Sequence, residues 1–181
     1  LNASAVITDH AIGVKAATKH LIEAGHRDIA FISGAANVYT TRNRIKGFSE
    51  AFSESGVPLP EKLIALGGFD AEYALIHARH FLLKNPRPTA FVAGGIGSTA
   101  GVVRAFNEMN LKIGDDIALV ALDEWPLFDV FATEISSVYR DPEAIGSEAA
   151  HLILEVLNGN EPRESVIDTK FTARASSQKV R

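Results

Sequence analysis

HLIEAGHRDIAFISG, residues 20–34, joins the end of a helix to a buried strand. Gly25 follows the helical face that includes Leu21 and Ala24, and a glycine directly after the last turn is typical of a helix end. The apolar run within residues 28–33 has the length of a strand and lacks the alternation of a half-exposed one. This combination predicts a parallel sheet that is covered by helices on both faces.

The same alternation of short apolar runs and amphipathic stretches continues along the chain and predicts an α/β fold with a doubly wound parallel sheet. We predict strands at residues 4–8, 28–33, 63–66, 89–93, 117–122 and 136–138, and helices at 13–24, 41–55, 70–84, 98–110 and 142–157. Residues 124–133 are expected to form an irregular apolar loop, and residues 165–173 alternate like an edge hairpin. Asp70 and Asp141 are expected to cap the helices that follow them.

Composition excludes several classes of function. The chain has 18 Lys and Arg against 22 Asp and Glu, which gives a net charge of -4. This balance argues against an excess of basic residues that could bind a nucleic-acid backbone. It has no cysteine, which excludes disulfides, thiolate metal sites and a cysteine nucleophile. The longest apolar run, residues 117–122, is far shorter than the roughly 20 residues that span a bilayer. Because the sequence starts at Leu1 rather than Met, we expect that upstream sequence is missing.

Several short motifs resemble, in order and spacing, the effector-binding domain of the LacI/GalR family of bacterial transcription regulators. DHAIG at residues 9–13 and HLIEAGHRDIAFISG at 20–34 are similar to the helix-to-strand crossover of that family. RIKGF at 44–48 is similar to its R-x-x-G-F helix. RPTAF at 87–91, ALVALDE at 118–124 and ISSV at 135–138 follow in the order of the family. The ordered set is much more specific than any one motif.

The resemblance implies a periplasmic-binding-protein-like fold of type I, in which the chain crosses three times between two doubly wound subdomains. Residues 1–26 and 139–160 are assigned on this basis to a remnant of the N-terminal subdomain. Residues 27–138 and 161–181 are assigned to a complete C-terminal, effector-binding subdomain. The implied protein is a cytoplasmic regulator that senses a small polar molecule, a sugar or sugar derivative, with no catalysis, cofactor, metal or membrane. It would bind DNA only through an N-terminal helix-turn-helix that the chain lacks.

Candidate ligand-binding residues follow the carboxyl ends of predicted strands, where open α/β folds bind their ligands. Arg44 offers a planar set of donors for hydroxyls or a carboxylate. Asp123 ends an apolar strand and either accepts two hydrogen bonds from a vicinal diol or caps a helix or loop. Phe69 lies where the family packs an aromatic ring on its ligand, and the alternative is a packing role in the core. Asp9 either faces the cleft or caps a helix, and Trp125 either stacks on a ligand ring or anchors its loop.

Gly95 and Ile96 depart from the family, which usually has Ala-Asn-Asp at this place. In a gap-free alignment Gly95 replaces the Asn and Ile96 replaces the Asp. Two polar groups that commonly fix a sugar are therefore missing, and an isoleucine facing the cleft would desolvate hydroxyls without offering them a partner. We expect a typical pentose or hexose to bind poorly.

The loop after Asp123 is dense in large apolar side chains, which a monomer would not collect unless they covered something. The residues concerned are Leu127, Phe128, Val130 and Phe131. In the family this region forms part of the dimer interface, together with the helix that bears Ala100, Val103 and Arg104. We predict a twofold homodimer with Phe131 near the interface centre, and the alternative is a loop that folds over its own core.

Three other functions remain as alternatives. Gly95, Gly97 and Gly101 follow a strand, and Asp123 ends the next one, which weakly resembles a dinucleotide-binding fingerprint. His77 and His80 could share a helix face as metal ligands, although no third ligand is evident. A periplasmic-type sugar-binding protein would share the architecture of the regulator.

Overall fold

The computed structural model of the protein describes residues 3–178, except for the side chains of Leu127 and Asp129. The strands are β1 (Ala5–Asp9), β2 (Ile29–Gly34), β3 (Ile64–Gly67), β4 (Ala90–Ala93), β5 (Ala118–Ala121), β6 (Ser136–Tyr139), β7 (Glu164–Asp168) and β8 (Lys170–Thr172). The α-helices are α1 (His10–Glu23), α2 (Tyr39–Glu54), α3 (Ala71–Leu82), α4 (Ile96–Glu108) and α5 (Pro142–Leu157). The fold is therefore α/β, as the alternating pattern predicts.

The strands form two separate sheets. The main sheet has the order β3-β2-β4-β5-β6-β8, and all of its pairs are parallel except that of β6 with β8. The second sheet contains only β1 and β7, which pair in parallel. We call the main sheet with α1 to α4 the main body, and β1, β7 and α5 the small unit.

The core of the main body has two layers, one on each face of the sheet. Every residue of β2, β4 and β5 is buried, which explains why these strands are continuously apolar in the sequence. Successive side chains of a strand point to opposite faces, so Phe31 joins one layer and Ile32 the other. Helices α1 and α2 cover the first face, and α3 and α4 cover the second.

The packing differs from the expected subdomain division at two places. The division placed α1 in the smaller part, but α1 packs on α2 and buries Val14, Ala17 and Leu21 in the core of the main body. It placed β7 in the larger part, but β7 pairs with β1 from Ala5–Glu164 to Asp9–Asp168. The first passage of the chain into the main body therefore lies at the end of β1, about one helix earlier than expected.

The prediction of an edge hairpin at residues 165–173 is wrong, because β7 and β8 belong to different sheets. Alternating exposure along a strand predicts that it is a strand but does not identify its partner. Thr169 lies between the two strands and fixes this divergence. Its hydroxyl accepts a hydrogen bond from Gly13 N at 3.0 Å and donates one to Asp9 O at 2.8 Å.

Aspartate caps explain where α1, α3 and α5 begin. The predicted caps are confirmed, since Asp70 Oδ1 accepts from Tyr73 N and Asp141 Oδ1 accepts from Glu143 N and Ala144 N. Helix α1 starts at His10, three residues earlier than predicted, because Asp9 caps it. Helix α4 starts at Ile96, two residues earlier than predicted.

Candidate functional site

The candidate site lies where the parallel strands of the main sheet end. The loops after β3, β4, β5 and β6 place Phe69, Gly95, Asp123 and Arg140 along this edge of the sheet. Helix α2, which follows β2, supplies Arg44. The structure thus brings Arg44, Asp123, Phe69 and Gly95 together, as their positions after successive strands predict.

Arg44 is buried and is used inside the protein. Its side chain is 3% exposed, and Nη1 donates to Gly94 O at 2.5 Å. Nη2 donates to Leu122 O at 2.9 Å and to Asp123 Oδ2 at 3.1 Å. Burial lowers the pKa of the Arg44 guanidinium, and Asp123 opposes this shift. These bonds make Arg44 a positioning residue, which fixes the loops that carry Gly94 and Asp123.

Asp123 is held by two arginines. Its Oδ2 accepts from Arg44, and its Oδ1 lies 2.9 Å from Arg140 Nε and 2.8 Å from Arg140 Nη2. Both carboxylate oxygens are therefore engaged, whereas the sequence suggested that they would receive a diol. Our sequence reasoning missed Arg140. Its position directly after β6 was the signal that could have identified it, since it obeys the same rule as Asp123.

His10 is a second residue that sequence reasoning missed. It is the first residue of α1, is buried, and lies close enough to both arginines for their charges to affect it. Burial, followed by Arg44 and Arg140, lowers the pKa of His10 to about 4, against smaller opposing effects of Asp123 and Asp9. His10 is therefore neutral at pH 7, with one ring nitrogen as a donor and the other as an acceptor.

Asp9 acts as a helix cap, one of its two expected roles. Its Oδ1 accepts hydrogen bonds from Ala11 N at 2.8 Å and Ile12 N at 3.3 Å. The amides at the start of α1 thus stabilise the negative charge of the Asp9 carboxylate.

Phe69, Gly95 and Ile96 form the apolar part of the site. A Cβ on Gly34 would lie 2.1 Å from Phe69 Cε2, so the ring packs directly on the Gly34 backbone. Phe69 and Ile96 are both exposed. Gly95 has a φ of +149°, and a Cβ there would face Asp123 Oδ2 and Phe69 Cδ1 at 3.6 Å and Arg44 Nη1 at 3.9 Å. The place where the family carries an asparagine side chain is thus bordered by Asp123, Phe69 and Arg44.

Trp125 is not part of this cluster. Its ring packs edge to face on Phe128 with centroids 6.5 Å apart. Trp125 lines a cavity of about 630 Å³ together with Phe131 and Arg174, whereas Asp123 and Arg140 line a different cavity of about 240 Å³. The structure therefore supports its expected role as a loop anchor.

The glycines behind the enzyme alternative have a packing role. A Cβ on Gly97 would lie 2.3 Å from Phe69 O, and one on Gly101 would lie 2.2 Å from Ala71 O. Gly97 allows α4 to lie close to the loop before α3, and Gly101 allows it to lie close to α3. No group of three or more His, Cys, Asp or Glu side chains that could hold a metal occurs within residues 3–178. The His77 ring packs at a tilt against Tyr73, with centroids 4.3 Å apart.

The expected interface residues divide into buried and exposed members. Phe128 is buried in the core and contacts Phe131 edge to face, with centroids 6.0 Å apart. Val103, Val130 and Phe131 line one surface cavity of about 550 Å³. Ala100 is half-buried, and Arg104 is exposed and pairs with Glu72. The side chain of Leu127 lies outside the described residues.

Within the part of the chain that the structure describes, no helix has both the length and the apolar character to cross a bilayer.

Comparisons with known proteins identify relatives. The sequence profile of the periplasmic binding protein-like domain matches residues 18–177. The HTH-type transcriptional repressor PurR of Klebsiella pneumoniae (strain 342) is 30% identical over 163 residues, which are 90% of this chain and 48% of the relative. The chain thus spans about half the length of that repressor.

Solved structures agree with this relationship. A putative ribose operon repressor from Burkholderia thailandensis superposes with a TM-score of 0.83 at 28% identity, over 94% of this chain and 63% of that one. A sugar-binding transcriptional regulator of the LacI family from Escherichia coli, complexed with phosphate, gives a TM-score of 0.84 at 25% identity, over 96% and 63%. The resemblance that the sequence motifs suggested is confirmed.

The burial of Arg44 predicts a loss of stability when it is removed. Arg44→Ala would leave the carbonyls of Gly94 and Leu122 without this donor and Asp123 with Arg140 alone. We expect the free energy of unfolding in urea to fall by about 3 kcal/mol. Arg42→Ala, two residues earlier on the exposed side of α2, is the control and should change it by less than about 0.5 kcal/mol. Equal effects of the two substitutions would contradict the positioning role.

The low pKa of His10 predicts acid sensitivity. In the unfolded chain His10 binds a proton near pH 6.5, whereas in the folded protein it does so only near pH 4, so its contribution is present above pH 6.5 and is lost as the pH falls towards 4. The loss reaches about 3 kcal/mol. Urea unfolding of His10→Asn across this range should show a smaller decline than the unaltered protein.

Some decline should remain in the variant, because burial also lowers the pKa of His26. His151→Asn changes an exposed histidine of α5 and is the control, which should decline like the unaltered protein. An unchanged decline in His10→Asn would show that His10 takes up its proton at the same pH in the folded and unfolded states.

Proposed function

Because this chain belongs to the periplasmic binding protein-like domain family, we propose that it is the effector-binding part of a ligand-responsive transcription regulator of the LacI type. The observation that carries the proposal is the convergence of Arg44, Asp123, Arg140 and Phe69 at the carboxyl edge of the main sheet, where such folds bind ligands. The effector is a small polar molecule, of the sugar or sugar-derived class that the sequence resemblance implies. The repressor names of the relatives support the regulatory role.

The intact protein in this proposal extends beyond the chain. Additional segments complete the small unit, in which only Leu152 of α5 is buried while Ile153, Leu154 and Leu157 are exposed. The proposed effector binds between the completed unit and the main body. A helix-turn-helix, which the name of the Klebsiella relative attributes to that protein, binds DNA.

Regulation then requires only a difference in affinity. An effector that binds one relative orientation of the two parts more tightly shifts the population towards it, and thereby changes the affinity for DNA. No chemical step is needed, so we propose a protein without catalysis or cofactor. We also propose that it is cytoplasmic. The repressor relatives support this assignment over an enzyme or a periplasmic carrier.

A measurement of DNA occupancy in cells tests the proposed function. The full-length gene product, tagged at its carboxyl end, should occupy specific genomic sites in chromatin immunoprecipitation, and the occupancy should change when the carbon source of the culture is changed. Cell fractionation should recover it with the cytoplasm. Recovery from the periplasm, or the absence of any specific genomic site, would overturn the proposal.

We also propose that the chain forms a twofold homodimer through the surface that contains Val103, Val130 and Phe131. The exposure of Val130 and the shared cavity support this surface, and the family resemblance suggests it. Phe128 points into the core, so the loop partly covers its own body and leaves the neighbouring side chains for the partner.

A charged substitution at Val130 should break this dimer without unfolding it. Val130 and Leu83 are both 77% exposed, but Leu83 follows α3 and lies outside the proposed surface. In light scattering at micromolar concentration we expect the unaltered protein and Leu83→Asp to have the mass of a dimer, and Val130→Asp that of a monomer. A monomeric mass for the unaltered protein would refute the proposed dimer.

A further inference from the structure

The two arginines of the site compete with ligand hydroxyl groups for the carboxylate of Asp123. A carboxylate that accepts hydrogen bonds from Arg44 and Arg140 on its two oxygens is already compensated in charge. A sugar hydroxyl would have to share these oxygens with two guanidinium groups. Asp123 is therefore a weaker acceptor for a polyol than a carboxylate without arginine partners.

Arg140, in contrast, has donors to spare. It directs Nε and Nη2 at Asp123, and no hydrogen-bond partner for its Nη1 occurs within residues 3–178. Its side chain is 46% exposed, so a ligand can reach it. A guanidinium with free N–H groups beside a cleft recognises carboxylate and phosphate groups well.

The other carboxylates at this edge already have partners. Asp9 and Asp70 accept hydrogen bonds from the amides at the start of α1 and α3. Asp141 does the same for α5, and Glu124 pairs with Arg174 at 2.5 Å. The charged group at this edge that still has free donors is therefore Arg140.

The start of α4 adds a second group of free donors. No side chain caps α4, because its cap position is Gly95 and its first residue is Ile96. An uncapped helix start carries a partial positive charge from its free amides. A Cβ on Gly95 would lie 3.6 Å from Asp123 Oδ2 and 3.9 Å from Arg44 Nη1, so this helix start adjoins Arg44 and the carboxylate that Arg140 binds.

We infer that the effector carries an anionic group, a carboxylate or a phosphate, which Arg140 binds beside the uncapped start of α4. This inference rests on the proposed function, since it concerns the ligand of the same site. The exposed ring of Phe69 and the side chain of Ile96 contact the uncharged part of the ligand. Both arginines lower the pKa of His10 more than Asp123 and Asp9 raise it, which agrees with a positive potential at His10.

Two pairs of probes that differ in charge test the inference. Ribose 5-phosphate is compared with ribose, and benzoate with benzamide, by titration of the ¹⁵N-labelled chain at constant ionic strength. We expect the amide signals of Gly94, Gly95 and Ile96 to shift with the anionic member of at least one pair, at an affinity about tenfold or more above that of its neutral counterpart. Preference within the first pair identifies phosphate as the favoured group, and preference within the second identifies carboxylate.

A matched pair of arginine variants assigns the preference to Arg140. In Arg140→Gln, the affinity for the anionic probe should fall to that for its neutral counterpart. Arg163→Gln removes an arginine of nearly equal exposure, 45%, which pairs with Glu155 in the small unit, and should keep the preference. Both variants change exposed side chains, so their spectra should remain those of the folded protein.

Three results would overturn the inference. Equal binding of ribose and ribose 5-phosphate at these amides, with no preference for benzoate, would exclude an anionic group and leave the proposed regulator intact. A preference that survives in Arg140→Gln would exclude Arg140. The absence of shifts with all four probes at millimolar concentrations would also reject the inference, whereas the genomic occupancy experiment decides the proposed function separately.

Discussion

The guanidinium of Arg44 holds the site together. It binds the carbonyl of Gly94 after β4, the carbonyl of Leu122 after β5, and the carboxylate of Asp123. Buried carbonyls at strand ends cost about 1 to 3 kcal/mol each when they lack a donor, so this one side chain stabilises two loops at once. Because α2 carries Arg44, the same bonds also fix that helix against the sheet. The positions of Asp123, and of Arg140 through it, follow from this contact.

Two polar residues of the site, His10 and Arg140, lie where the chain passes between the main body and the small unit. The first passage is at Asp9 and His10, the second at Arg140 and Asp141, and the third at Thr169. The two aspartates cap the helices that begin at these points, and Thr169 bonds to Asp9 O. A ligand bound by Arg140 therefore contacts a segment that must respond to any change in the orientation of the small unit. This placement gives binding a direct physical route to a change in orientation.

Local patterns in the sequence predicted the main sheet well, but they did not predict how distant segments meet. Continuous apolar runs located β2, β4 and β5, because buried parallel strands are apolar on both faces. The tail was misread, since alternation along β7 and β8 does not specify a partner strand. Likewise, the end of a strand located Asp123, but only the folded chain reveals that Arg140 already occupies its carboxylate.

The presence of Arg140 explains why Gly95 and Ile96 differ from the residues that the family usually has at these positions. An aspartate at position 96 would place a negative charge at the start of α4 and would compete with an anionic ligand for the same donors. Isoleucine removes that competitor, and Gly95 leaves open the space beside Arg44 and Phe69. Arg140, together with Arg44, meanwhile binds the carboxylate of Asp123. These features all disfavour a neutral polyol and favour an anion, so the specificity of the site depends as much on acceptors that are absent or occupied as on the donors that remain.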